Sequence, residues 1–190
     1  MIITSWYRML IALTGTPGTG KTAVSYVLQE KGFKNVDLNR VATEEGFLAG
    51  FDKKRASKII DIDRLNDYVK KRYITKDVVF LVGHISHLLK NVDKVIVLRC
   101  HPDELKKRLS KKKWAEEKIK ENLEAEILDI ILCESVDTHS EQNVFEIDTT
   151  SLSINNVASS IIDIISNNFK YIEKYKIGKI DWSEEILKDF

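Results

Sequence analysis

The chain has 190 residues, of which 43% are hydrophobic and 31% charged, and its formal net charge is +1. A chain of this length and apolar content can bury a sizeable core, which excludes an intrinsically disordered protein. The near-neutral charge argues against a whole-molecule electrostatic grip on nucleic acid or on an anionic membrane, so we expect no DNA partner. We predict a single domain over residues 1–190.

The cysteines and the apolar runs indicate the compartment. Cys100 and Cys133 have apolar neighbours and lack metal-ligand spacing, which predicts reduced thiols packed in the core. The apolar run Met9–Leu13 is too short for a signal peptide, and no stretch reaches the roughly 20 apolar residues of a membrane span. We therefore expect a cytoplasmic protein without a membrane partner.

Short apolar runs alternate with segments of helical periodicity along the chain. The strand candidates are Met9–Leu13, Asn35–Leu38, Val78–Val82, Lys94–Leu98 and Val144–Ile147. Such alternation is typical of a parallel sheet covered by helices, which places the chain in the α/β class with a five-stranded sheet. Val78–Val82 and Val95–Leu98 are continuously apolar, as strands buried on both faces should be, so we predict that they are central.

Periodicity and capping residues predict the helices. Helices are expected over Thr22–Lys31 and Asp103–Leu109, and apolar side chains recur every four residues from Ile119 to Ile131. A further apolar stripe runs from Val157 to Phe169. About 40 residues separate the second and third strand candidates, which is more than one crossover helix needs. We expect an inserted subdomain there.

The segment from Gly15 to Thr22, GTPGTGKT, fits the pattern G-x-x-x-x-G-K-[ST] between an apolar strand and a helix. Its backbone N–H groups would cradle phosphate oxygens, Lys21 would reach the β- and γ-phosphates, and Thr22 would give its hydroxyl to Mg²⁺. The alternative is a tight glycine-rich turn without a ligand. The pattern predicts binding of ATP or another nucleoside triphosphate. The predicted contacts are Gly15, Gly18, Thr19, Gly20, Lys21, Thr22 and Ala23.

The class of this P-loop protein follows by comparison of motifs. The chain has no Asn-Lys-x-Asp stretch of the kind that reads guanine in GTPases, which leaves the small kinases. In that class an acceptor-binding segment follows the second strand and a short basic lid follows the fourth. The run Arg108, Lys111, Lys112 and Lys113 occupies the lid position, although a solvated helix face is the alternative.

Several segments together resemble the small adenylate kinase-like NTPases shared by archaea and the eukaryotic nucleus, which are associated with small ribosomal subunit maturation. The similarity covers about Leu10–Ser135. It rests on the loop Leu13–Thr22, the stretch Gly50-Phe51-Asp52, the acidic pair Asp61 and Asp63, and Asn122 with Glu126. The resemblance implies a three-layer P-loop kinase fold that uses ATP and Mg²⁺, with AMP as acceptor and a small-subunit ribosomal protein or rRNA as a possible partner.

The resemblance also implies segment and residue roles. Residues 39–60 would bind the nucleoside monophosphate, residues 111–120 would form the lid, and residues 169–190 would be a C-terminal extension. Arg108 and Lys112 match the lid arginines, and His84 matches a histidine that orients the attacking group. Two positions depart from the family: the acid expected near the metal falls at Val82, and an expected arginine falls at Thr43. The substrate residues would then be Arg40, Asp61 and Asp63, although Asp61 and Asp63 could instead cap a helix.

The expected activity is phosphoryl transfer from Mg·ATP to AMP with accompanying ATP hydrolysis, with Lys21, His84 and Arg108 as catalytic residues. Two rivals stay open: an ATP-switched ribosome assembly factor with incidental kinase activity, and a kinase of another small metabolite. We expect His87, His101 and His139 at the surface. The interleaved aromatics and lysines of residues 169–190 favour packing onto the domain over RNA binding.

Overall fold

A computed structural model describes residues 9–52, 57–73, 77–170 and 172–187; the segment Met1–Arg8 lies outside these ranges. The elements in chain order are β1 (Met9–Thr14), α1 (Lys21–Glu30), β2 (Lys34–Asp37), α2 (Leu38–Glu44), β3 (Leu48–Asp52), β4 (Ser57–Ile60), α3 (Ile62–Arg72), β5 (Val78–Val82), β6 (Lys94–Arg99), α4 (Pro102–Ser110), α5 (Glu116–Ile127), α6 (Ile130–His139), β7 (Val144–Asp148) and α7 (Ile154–Ser166). No helix within these ranges is both long and apolar enough to cross a membrane.

The central sheet has five parallel strands in the order β2-β5-β1-β6-β7, which confirms the predicted sheet. Strands β5 and β6 each lie between two neighbours, as their continuous apolar character predicts, and all five residues of β5 are buried. A strand between two neighbours with helices on both faces has no solvated side, so it is apolar at every position.

Helices cover both faces of the sheet, and alternate residues of β1 point to opposite faces. Ile11 and Leu13 belong to the core cluster that α1 and α7 complete. Leu10 and Ala12 belong to the cluster on the other face, which is completed by residues of α2, α3 and α6. The fold is therefore the predicted three-layer α/β arrangement.

The surplus residues between β2 and β5 form α2, an antiparallel hairpin of β3 and β4, and α3. Each helix begins with an aspartate cap: Asp37 accepts a hydrogen bond from the N–H of Arg40, and Asp61 accepts one from Arg64. The hairpin leaves Leu48, Phe51 and Ile59 exposed. The predicted insertion thus consists of a small hairpin held between two short helices.

The apolar stripe from Ile119 to Ile131 does not form one helix, so that prediction is wrong in its extent. Helix α5 ends at Ile127, and α6 begins at Ile130 after Asp129, which has a left-handed backbone with φ 54°. The Asp129 carboxylate is paired with the buried guanidinium of Arg99, a partner 30 residues away. Similarly, Phe169 lies beyond the end of α7 with φ 58°.

Three placements of single side chains contradict the sequence expectation. Cys133 is exposed, because the inward face of α6 is formed by Leu132 and other residues, whereas Cys100 is buried as predicted. His87 and His139 are buried instead of lying at the surface. The His139 Nε2 donates to the His87 carbonyl at 2.6 Å, and the His87 Nε2 lies 2.9 Å from Glu134, so each imidazole has polar partners that offset its burial.

The C-terminal extension packs on the domain. Ile172 and Tyr175 belong to the core cluster that α1 and α7 complete, and Lys176 forms an isolated bridge with Phe145 of β7. Farther on, the N–H groups of Lys179 and Ile180 donate to the buried Glu146 carboxylate at 2.9 and 3.1 Å. These contacts agree with the packing interpretation of residues 169–190.

Candidate functional site

The carboxyl ends of β1, β2 and β5 meet at one edge of the sheet, where they border a basin of about 860 Å³. A crevice at this position, where neighbouring parallel strands connect in opposite directions, is the usual ligand site of an open α/β sheet. Besides the P-loop, its walls come from the ends of β2 and β5 and from one face of α5. The lining residues outside the P-loop are Asp37, Asn39, Val82, Gly83, His84, Lys112, Trp114, Lys118, Glu121, Asn122, Ala125 and Ile131.

The P-loop follows β1 and leads into α1, and two of its glycines are required by space. A Cβ on Gly15, where φ is 132°, would lie 2.3 Å from the carbonyl oxygen of Leu98. A Cβ on Gly18, where φ is 103°, would lie 2.7 Å from a methyl group of Leu105. The contact at Gly15 is with backbone that cannot move aside, and both φ values lie in a region that L side chains rarely adopt, so this path of the loop favours glycine at both positions.

Lys21 reaches back from the first turn of α1 across the loop. Its ammonium donates hydrogen bonds to the carbonyl oxygens of Gly15 at 2.6 Å and Thr16 at 3.0 Å. Burial lowers the pKa of Lys21 to about 7; the Glu126 carboxylate opposes this shift and the Lys112 ammonium adds to it. The loop thus holds a cation that is poorly hydrated and that an anionic ligand would stabilise.

The buried carboxylate of Glu126 lies against the P-loop and holds it in place. The Thr16 hydroxyl donates to Glu126 Oε2 at 2.5 Å, while Arg99 Nε and the N–H of Cys100 donate to Oε1 at 2.9 and 3.0 Å. Only 2% of the Arg99 and Glu126 side chains is exposed, so water does not compete for these bonds. Helix α5 and the end of β6 therefore determine where Thr16 lies.

Arg99 is the centre of this buried charge cluster. Its guanidinium also contacts the carboxylates of Asp129 and Glu146. Burial opposes the charge on Arg99, but Glu126 and Asp129 outweigh it, and the pKa of Arg99 is raised. Burial raises the pKa values of Asp129 and Glu146, although Arg99 lowers both. The cluster connects the P-loop with the C-terminal extension, since Glu146 holds the N–H groups of that segment.

The end of β5 carries His84 and, two residues earlier, Val82, and both line the basin. Asp37, at the end of the neighbouring strand β2, is paired in register with Val82 and lines the same wall. Burial lowers the pKa of His84 to about 4, and the charges of Lys21, His87 and Lys118 contribute. The His84 imidazole is consequently neutral at neutral pH.

Arg108 is held at the end of β7 and is not among the residues that line the basin. Its guanidinium donates to the Thr149 hydroxyl and to the carbonyl oxygens of Thr149 and Thr150, and it pairs with Glu104 at 3.1 Å. The Thr149 hydroxyl lies 3.1 Å from the carbonyl oxygen of Thr19 in the P-loop and 2.8 Å from that of Arg99, and its hydrogen is within reach of both. Arg108 is thus connected to the P-loop through Thr149.

The predicted monophosphate residues lie apart from the loop. Asp61 caps α3, which agrees with the capping alternative, and Asp63 is exposed in the first turn of that helix. Arg40 is an exposed residue of α2 that lies 3.9 Å from Glu44 and borders a separate groove with Tyr73. The structure thus brings together the loop, His84 and Lys112 but does not bring Arg40, Asp61 or Asp63 into the same basin.

Sequence reasoning missed two side chains of this site. Arg99 ends the apolar run of β6, and a charged residue directly after such a run is a signal of a buried ion pair that was available in the sequence. Lys118 lines the basin from α5 together with Glu121, Asn122 and Ala125. Their spacing of three, four and seven residues marks one helix face, but the sequence does not say what that face borders.

The sequence has relatives among known proteins. Residues 11–129 match the family described as "AAA domain", which covers more than half of the chain. A protein of Archaeoglobus fulgidus named "Putative adenylate kinase" is 43% identical over 178 residues, which is 94% of each chain. One with the same name from Methanocaldococcus jannaschii is 38% identical, with 93% of this chain and 94% of the relative covered.

Solved structures of kinases share the fold. Shikimate kinase from Acinetobacter baumannii, in complex with shikimate, superimposes with a TM-score of 0.60 at 19% identity and covers 84% of this chain and 94% of its own. Shikimate kinase from Bacteroides thetaiotaomicron gives a TM-score of 0.53 at 18% identity, over 83% of this chain and 98% of its own. At such identities the likeness concerns the architecture alone.

Proposed function

We propose that this chain, which belongs to the adenylate-kinase-like P-loop NTPase family of its archaeal relatives, transfers the γ-phosphoryl group of Mg·ATP to AMP and forms two ADP. The observation that carries the proposal is the P-loop, with the Lys21 ammonium placed between its carbonyl oxygens, at the floor of a basin that the inserted segment borders. The names of the relatives support AMP as the acceptor.

The transfer needs positioning and charge neutralisation more than acid–base chemistry. The bond between the γ-phosphorus and the bridging oxygen of ATP breaks, and a phosphate oxygen of AMP forms the new bond. That oxygen already lacks a proton, so no general base is required. The backbone N–H groups of the loop, Lys21 and Lys112 would hold the phosphates in line and stabilise the charge on the transferred group.

His84 fits an orienting role. Its neutral imidazole, with a pKa lowered to about 4, can accept one hydrogen bond and donate another but adds no charge to a site that already contains Lys21. In the accompanying hydrolysis of ATP, we propose that the imidazole accepts a hydrogen bond from the attacking water. Lys112 would neutralise phosphate charge, and Arg108 would fix the loop from the end of β7.

The residues present fit a hard divalent cation. Thr22 offers a hydroxyl at the start of α1, and Asp37 offers a carboxylate oxygen on the facing wall, which are the ligand types that Mg²⁺ accepts directly or through its waters. Bound Mg²⁺ supplies positive charge to the β- and γ-phosphates. Val82 cannot contribute, so Asp37 at the paired position of β2 is the acid that we propose for this role.

A role in small ribosomal subunit maturation is the second part of the proposal. The β3–β4 hairpin exposes the large apolar side chains Leu48, Phe51 and Ile59, and an apolar surface of this kind is typical of a protein contact. The partner expected from the family resemblance is a small-subunit ribosomal protein or rRNA. Affinity purification from cell extract should enrich it, and a wild-type preparation that enriches no ribosomal component would contradict this role.

The enzymatic proposal is tested by ADP formation at fixed Mg·ATP with AMP, GMP, CMP and shikimate as acceptors. We expect AMP to raise ADP formation well above the rate of slow hydrolysis and Lys21→Ala to reduce turnover by more than tenfold. If AMP adds nothing to hydrolysis, an ATP-switched assembly factor becomes the function. If shikimate or another acceptor replaces AMP, the protein is a kinase of that metabolite.

A further inference from the structure

Three lysine ammonium groups face the basin, and two of them rest on one aromatic ring. Lys112 Nζ lies 5.2 Å and Lys118 Nζ lies 4.7 Å from the centroid of Trp114. Both distances fall within the range of cation–π attraction. Trp114 is itself packed against the apolar cluster of Cys100, Leu105, Leu109, Ile119 and Leu123, so the ring is held by the body of the domain.

Lys118 is placed by a regular helix. It lies in the first turn of α5, where Asn122 donates a hydrogen bond to its carbonyl oxygen at 2.6 Å. The face that it shares with Glu121, Asn122 and Ala125 borders the basin, while Ile119, Leu123 and Ile127 on another face are buried. Lys118 is partly buried, whereas Lys111 and Lys113 are exposed residues of the turn before α5.

The charges that face the basin do not balance near the loop. The positive charge of Lys118 contributes to the lowered pKa of His84, and that of Lys112 contributes to the lowered pKa of Lys21. Glu121 and Asp37 line the walls, but the floor of the basin is cationic. Phosphate oxygens placed between these ammonium groups would turn the mutual repulsion into attraction.

We propose that Lys118 binds the phosphates of the nucleotide in this basin, and that Trp114 holds the ammonium groups of Lys112 and Lys118 beside it until a nucleotide enters. A cation–π contact at a partly exposed ring is weaker than a charge-assisted hydrogen bond to phosphate, so the exchange from ring to phosphate is favourable. This inference rests on the proposed use of ATP and adds a residue to the site.

The experiment is a calorimetric titration with a non-hydrolysable Mg·ATP analogue. Lys118→Gln should weaken binding about tenfold, because it removes one charge-assisted hydrogen bond. Lys118→Arg keeps the charge and should bind within about threefold of the wild type. The control is Lys90→Gln, which removes the same charge from an exposed position between β5 and β6 that lies outside the lid segment and does not line the basin. Its affinity should stay within about twofold of the wild type.

A second measurement reports on the ring. The emission of Trp114 is obtained as the difference between the tryptophan emission of the wild type and that of Trp114→Phe. This emission should change when the analogue binds. Lys118→Gln should reduce the change. Equal affinities of Lys118→Gln and Lys90→Gln would overturn the inference. If the wild type binds the analogue but AMP does not stimulate ADP formation, the proposed kinase activity fails while the role of Lys118 stands. If the wild type binds no nucleotide, both are wrong.

Discussion

Single side chains around the P-loop set the electrostatics of the site. Lys21 is poorly hydrated, is held by two carbonyl oxygens and has a pKa of about 7. The Glu126 carboxylate, which accepts a hydrogen bond from Thr16, favours the protonated form of Lys21. The balance between burial and this one carboxylate determines the charge that the loop presents to a ligand.

We predict that nucleotide binding is coupled to proton uptake by Lys21. At about pH 8.5 the free protein holds Lys21 mostly neutral, because its pKa is lowered to about 7, and phosphate oxygens favour the charged ammonium and raise the pKa. Titrations with Mg·ATP in buffers of different ionisation enthalpy should therefore report uptake of up to roughly one proton per ATP.

Two variants test whether Lys21 is the group that takes up the proton. Lys21→Met should abolish the proton uptake, whereas Lys34→Met, which removes an exposed lysine, should leave it unchanged. A binding enthalpy of the wild type that is the same in all buffers would contradict the assigned charge state.

The position of the metal-associated acid is a further property of single residues. Asp37 lies beside Val82 in register and lines the basin, whereas Asp61 caps α3 away from it. We predict that Asp37→Asn raises the Mg²⁺ concentration needed for half-maximal activity several-fold and that Asp61→Asn does not. Val82→Asp should be neutral or harmful, because it adds a buried charge beside Asp37.

The comparison of these variants separates two explanations. If Val82→Asp lowers the Mg²⁺ requirement and raises turnover, the enzyme binds its metal weakly and Asp37 is no substitute. Identical Mg²⁺ dependence of the wild type and all three variants would contradict the proposed metal geometry.

The strand–loop–helix unit of β1, the P-loop and α1 is the element that makes the site. Its loop passes so close to β6 that a Cβ on Gly15 would collide with the Leu98 carbonyl oxygen, and this oxygen belongs to backbone that cannot move away. The shape of the loop is thus determined jointly by its own sequence and by the strand that it crosses.

We predict that Gly15→Ala weakens Mg·ATP binding by more than tenfold, since the loop must shift to remove a contact of 2.3 Å. The control is Gly32→Ala, at a position with a positive φ but open space around it, which should leave the affinity unchanged. Circular dichroism verifies that both variants are folded. An affinity of Gly15→Ala equal to that of Gly32→Ala would show that the loop path is not required for binding.

For the molecule as a whole, the C-terminal extension closes one side of the domain. Glu146 accepts two backbone hydrogen bonds from it, and the ring of Trp182 contacts that of His101 edge to face with centroids 4.9 Å apart. The same Glu146 pairs with Arg99, which holds Glu126 under the P-loop. Stability of the extension and order of the loop are therefore expected to be coupled.

We predict that deletion of residues 177–190 lowers the melting temperature by about 4–8 °C, which corresponds to about 2 kcal/mol for a chain of this size. The deletion removes both N–H donors from the buried Glu146 carboxylate and uncovers His101. Deletion of residues 188–190 alone is the control and should have little effect. Equal melting temperatures of the two truncated chains would refute the closing role of residues 177–187.

The sheet, the covering helices and the P-loop could be predicted from the order of residues, because each rests on local patterns: apolar runs, capping residues and a glycine-rich motif next to a strand. Three features could not be predicted in this way: the break between α5 and α6 at Asp129, the burial of His87 and His139, and the position of Lys118 beside the basin. Each of these depends on partners that are distant along the chain, such as Arg99 for Asp129 and Thr14 for His87. Hydrophobic periodicity reports only where apolar side chains are buried, whereas a polar side chain is buried when tertiary packing supplies its hydrogen-bond partner.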